Sequence, residues 1–214
     1  KTEIIVAPLE NEALVIQSMA DVSPPKWHLG HTTWFFEYLV LLPYSEKYTP
    51  FFPEGSRVFN SYYEVLGSRV ARPSRGLLSR PTAREIQSYR ASVTEHIVTL
   101  LDRAEQTEWN QIVERIEIGI HHEQQHQELL LTDIKHNLWQ NFPPPPYAAL
   151  QAPGSGAARE MSFIRFEGGL REFGADGQGF SYDNERPRHR FYFESFELAD
   201  RLVTNQEYLE FMSD

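Results

Sequence analysis

The chain has 214 residues, 41% of them hydrophobic and 13% aromatic, with a formal net charge of −10 and no cysteine. That acidic balance, with no basic stripe, argues against nucleic acid or anionic membrane as partner, and without cysteine there is no disulfide, thiolate metal site or cysteine nucleophile. The longest apolar run, YLVLLPY at 38–44, is too short for a bilayer and is broken by Pro43, and no signal pattern opens the chain, so a cytoplasmic protein is expected.

Apolar residues recur at helical spacing over 9–19, 29–42, 86–104 and 112–139, which predicts four helices. Ser23-Pro24-Pro25 is the breaker ahead of the second. Pro81 precedes the third, which Thr82 and Glu85 open as a capping box. Residues 45–81 show no sustained period but many aromatics and arginines; a connection this long inside a compact domain is expected to line a functional site.

Residues 141–160, NFPPPPYAALQAPGSGAARE, read as a linker, because a proline run cannot continue a helix. From 161 to 214 short alternating strands are separated by Gly and Asp turns and followed by a helix that Thr204 and Glu207 cap. The expected fold is therefore α+β: a helical domain over 1–140, the linker, and over 161–214 the beginning of a larger strand-rich domain.

Four of the eight histidines fall in GIHHEQQHQELLLTDIKH, 119–136. His122 and His126 are one turn apart, about 40° from each other around a helix, so both imidazoles can reach one ion. The same spacing also suits a solvated helix face, but here the pair sits in an apolar setting where unpartnered imidazoles are costly. Glu123, about 100° off that face, completes the zinc-protease pattern H-E-x-x-H as its general base. A zincin takes its third ligand from downstream, whereas this chain offers its best partners upstream, His28 and His31 in SPPKWHLGHTTWFFEYL. One imidazole from an early helix and a pair from a later one can build a three-histidine facial site in a bundle. Arg69, Arg72 and Arg75 recur at intervals of three in the long connection. They read either as a solvated basic face or, for Arg72 and Arg75, as a bidentate clamp on a substrate carboxylate.

Taken together, SPPKWHLGHTTWFFE, FNSYYEVLGSRVARPSRGLLSRPT, HHEQQHQELLLTDIKH and, after the linker, FEGGLREFG with YDNERPRHRFYFESFELADRLVTNQEYLEFM resemble the ergothioneine-biosynthesis sulfoxide synthases, in order and over almost the whole chain. The resemblance implies a DinB-like four-helix bundle joined to a formylglycine-generating-enzyme-like, C-type-lectin-like domain. It implies a non-haem iron(II) held by His31, His122 and His126, with His28 and His121 as neighbours and no role for His136 or His189. Gln125 falls at the position that contacts the imidazole-bearing substrate.

The implied reaction is O2-dependent carbon–sulfur bond formation between a thiol, cysteine or γ-glutamylcysteine, and the imidazole of hercynine, with oxidation of the sulfur to a sulfoxide. In this family catalytic residues come from the carboxyl-terminal domain beyond the position of Asp214, so a further segment or second fragment is an expected partner. Three alternatives stand beside this reading: the sister reaction on histidine in ovothiol biosynthesis or a selenium-using relative, a DinB-like thiol transferase or hydrolase using a divalent metal without O2, and a noncatalytic ligand-binding module.

Overall fold

Pro25 opens the helix around which the first half of the chain packs. In the computed structural model, which describes residues 1–61, 67–149 and 159–214, the chain divides into two units, Lys1–Ala149 and Leu150–Asp214. Positions 150–158 of the expected linker and 62–66 of the long connection lie outside the described residues.

The first unit contains α1 (Thr2–Val6), α2 (Pro25–Phe36), α3 (Leu42–Tyr44), α4 (Gly55–Phe59), α5 (Ala83–Arg103) and α6 (Gln106–Trp139). Proline at the first helical position costs α2 no hydrogen bond, since that N–H has no intrahelical partner. Every residue from Pro25 to Phe35 is buried, as befits a helix packed against both α5 and α6. Trp27, Leu29, Trp34, Ile86, Tyr89, Leu130 and Ile134 share its core. Full burial of a side chain such as Leu29 or Ile86 stabilises the fold by about 1.5–3 kcal/mol.

After Phe36 the helix widens into a π-helical turn, Glu37–Leu41, before α3. Glu37 is buried there, and its carboxylate accepts from Tyr48 Oη at 2.6 Å, from the Phe51 amide at 2.9 Å and from Tyr89 Oη. One carboxylate thus ties α2, α5 and the start of the long connection together, with three donors to offset its desolvation. The connection itself carries α4 and a 3-10 turn, Arg72–Leu77.

α5 and α6 cover the predicted third and fourth helices, and Thr82 with Glu85 makes the capping box in full. The helix expected over 9–19 does not form. That segment is a run of turns and extended residues that buries Leu14, and tertiary partners take up its backbone. Leu14 O accepts from Lys26 N, Asn137 Oδ1 accepts from Ser18 N, and Asn137 Nδ2 donates to Ile16 O. Those bonds replace the i to i−4 ladder, so the apolar spacing marks burial and not a fourth helix.

The second unit pairs β1 (Phe163–Phe166) with β4 (Phe196–Ala199) and β2 (Gly169–Phe173) with β3 (His189–Phe193), both antiparallel. α7 (Asn205–Ser213) follows, with Thr204 and Glu207 forming the anticipated capping box and Arg201 paired to Glu207 at 2.7 Å. Apolar strand residues including Phe163, Leu170 and Leu198 are exposed. No helix among the described residues is long and apolar enough to cross a membrane.

Candidate metal centre

His31, His122 and His126 come together, and a ring nitrogen from each lies within 4.8 Å of the other two. α2 supplies the first and α6 the pair, whose i, i+4 spacing stacks both rings on one face. His31 Nε2 is 3.2 Å from His122 Nε2. Two imidazoles on one ion at about 2.1 Å stand about 3.0 Å apart at right angles and about 3.4 Å apart at tetrahedral angles, so the observed gap suits either.

Partners fix the proton positions. Nδ1 of His31 donates to the Phe59 carbonyl, so its Nε2 keeps a lone pair toward His122. α4 is five residues long, and its last carbonyls have no intrahelical donor; Val58 O takes Trp27 Nε1 at 3.0 Å and Phe59 O takes His31. Gly30 makes this approach possible, because a Cβ there would lie 2.2 Å from a carbon of the Phe59 ring. Nδ1 of His122 is buried with no partner among the described residues. A lone pair aimed at a second ring nitrogen is an arrangement that a cation between the rings relieves.

Aromatic walls enclose the cluster. Trp27 stacks on His31 at 4.6 Å and Phe35 on His122 at 4.0 Å. Burial lowers His31 to about 3, with the neighbouring His122 adding to the shift, and lowers His122 to about 4. Burial, then the positive charges His31 and His28 would carry, lowers His126 as well. All three rings are therefore neutral near pH 7, the state in which imidazole binds metal. The three-histidine cluster could hold a metal ion.

Glu123 is not part of the cluster. Its Oε1 accepts from Arg90 Nη2 at 2.8 Å and from Thr2 Oγ1, and Arg90 Nη1 also donates to Thr32 and Thr33. The carboxylate joins α1, α5 and α6 and is engaged where a zincin would need it at the ion. Glu128 and Gln125 are exposed, Gln125 on the turn that carries His122 and His126.

Arg75 is 3% exposed, its guanidinium carbon 3.3 Å above the centroid of Trp27 and its nitrogens bonded to Ser23 Oγ at 2.9 Å and Ser61 Oγ at 3.1 Å. Its charge helps depress His31 and His126. Arg72 is exposed, and with Arg69, Arg75 and Ser61 it lines one cleft. His28 is buried beside His126, His121 is half-buried, His136 bonds Ser18 Oγ at 2.6 Å, and His189 is exposed.

Two contributors escaped the sequence reading. The Phe59 carbonyl gives no side-chain signal. Asp133, which bonds His28 Nε2 at 2.9 Å, does: it lies seven residues after His126 and so on the same helix face.

No curated protein matches the chain. A model of the DinB superfamily, DinB_2, matches residues 1–130, more than half of the sequence and a span that includes His31, His122 and His126. The chain belongs to the DinB superfamily.

Proposed function

We propose that this chain carries the iron(II) site of an O2-dependent sulfoxide synthase that joins a thiol to the imidazole of hercynine. The observation that carries the reading is the ligand set itself: three neutral imidazoles converge with no carboxylate among them. Such a set leaves about three positions of an octahedral ion open and leaves its +2 charge uncompensated, which favours an anionic thiolate as an added ligand.

The balance is one thiol S–H, one imidazole C–H and O2 giving a carbon–sulfur bond, an S=O and one water. Iron, when bound, would supply the activation of O2 and the oxidising power for both bonds. The chain's own residues do the rest. His31, His122 and His126 hold the ion; Trp27 and Phe35 keep water from its flank; Arg75, buried and stacked on Trp27, and Arg72 at the rim of the same cleft take a substrate carboxylate. Gln125 offers an amide to the imidazole-bearing substrate. On this reading the strands and α7 of Leu150–Asp214 belong to a C-type-lectin-like domain.

A second reading fits the same geometry. The 3.2 Å nitrogen separation suits tetrahedral zinc as well as octahedral iron, as a DinB-like thiol transferase or hydrolase would require. Anaerobic titration of the iron(II)-loaded protein with hercynine, cysteine and γ-glutamylcysteine, with histidine as control, tests the choice. Hercynine binding that depends on iron supports the proposal. Preference for histidine points to the sister reaction, and zinc retention without affinity for either substrate points to the zinc reading.

A further inference from the structure

We infer that Asp133 and His28 form a hydrogen-bonded relay that holds His126 in its Nδ1–H tautomer and so aims the Nε2 lone pair of His126 at the ion; the inference rests on the metal reading above. The relay runs Asp133 to His28 to His126 through two contacts, each of 2.9 Å.

The proton positions follow link by link. Asp133 Oδ2 already accepts the Ser23 amide at 2.8 Å, and a carboxylate facing an imidazole nitrogen accepts again, so Nε2 of His28 carries a hydrogen. A neutral imidazole protonated at Nε2 presents Nδ1 as an acceptor. That atom lies against Nδ1 of His126, so the hydrogen between the two rings belongs to His126. Its Nε2 is left as the free donor nitrogen.

The three residues are 8%, 3% and 9% exposed, which leaves little room for solvent to substitute for a missing member. The relay also explains why His28, an imidazole within reach of the cluster, is not a fourth ligand: both of its nitrogens are committed. His28 and Asp133 are positioning residues, since neither touches the ion position or a substrate. A buried anion at the far end of a hydrogen-bond chain also raises the basicity of the ligating nitrogen, and losing such outer partners lowers metal affinity by about 10–100-fold.

The test uses the 214-residue chain with two readouts. Imidazole 15N spectra of the metal-free protein near pH 7 are expected to show His126 protonated at Nδ1 and His28 at Nε2; the opposite tautomer at His126 overturns the relay. Cobalt(II) titration followed by d–d absorption is expected to give a Kd about 10–100-fold weaker in His28→Leu, with most of the loss recovered in His28→Gln, whose carbonyl can accept from His126. An unchanged Kd in His28→Leu overturns the relay. Should that variant not fold, Asp133→Asn keeps an acceptor for Ser23 and His28 but removes the charge: about a tenfold loss supports the relay and no loss overturns it. Wild-type protein that takes up no cobalt defeats the metal reading instead, and the metal-free tautomers still decide the relay.

Discussion

Glu123, which stands between the paired histidines in sequence, gives its carboxylate to Arg90, whose Nη2 donates to Oε1 across 2.8 Å. Only 14% of the Arg90 side chain and 20% of the Glu123 side chain are exposed, so the pair is shielded enough for its loss to register. Glu123→Gln is expected to lower unfolding free energy by about 1–3 kcal/mol while leaving metal stoichiometry intact. Chemical denaturation and metal analysis of the same preparation check both halves; a general-base role would give the reverse, full stability with lost activity.

Gly30 lets the Phe59 ring and carbonyl close on α2 beside His31. Gly30→Ala is expected to displace Phe59, costing about 1–3 kcal/mol of stability through overpacking. It should also weaken metal binding, because His31 loses the acceptor that fixes its tautomer. A melt and a metal titration at equal protein concentration read the two effects separately.

The depressed imidazoles set a direction for stability against pH. His31 at about 3 and His122 at about 4 lie below the ordinary value near 6.5, so between those limits the unfolded chain binds protons that the folded chain does not. Their contribution is fully present above about pH 6.5 and is lost as pH falls through the window toward 4 and then 3. For the metal-free protein the loss should reach a few kcal/mol across the window. Urea midpoints at several pH values between 7.5 and 4.5 should fall steadily, and less so in His122→Asn; a flat series contradicts the account.

Gln125 shares its turn of α6 with His122 and His126 and is exposed. Gln125→Leu is expected to leave iron content unchanged and weaken hercynine binding by about 1–3 kcal/mol, with a smaller effect on the thiol. Anaerobic calorimetry on iron-loaded protein measures it; equal affinities would make Gln125 a bystander.

What could be read from the residues follows their range of interaction. The capping boxes at Thr82 and Thr204 and the periodicity of α5 and α6 are local, and they form where the sequence places them. Segment 9–19 has the same apolar spacing but a different fate, because Asn137 and Lys26, distant in sequence, claim its backbone. The i, i+4 spacing alone puts His122 and His126 on one face, whereas His31 joins them only through the packing of α2 on α6. The Phe59 carbonyl and the π-helical turn that buries Glu37 are products of that packing and have no local signature, whereas the spacing of Asp133 puts it on the face of His126 and only its contact with His28 comes from the packing.

Anaerobic loading with iron(II), followed by iron analysis and spectra with and without added thiol, tests the central claim most directly. The account predicts one iron per chain in wild-type protein, a spectral change when the thiolate binds, and loss of iron in each of His31→Ala, His122→Ala and His126→Ala with the helical signal retained. Stoichiometric iron persisting in any of the three variants, or no iron in the wild type, would contradict it.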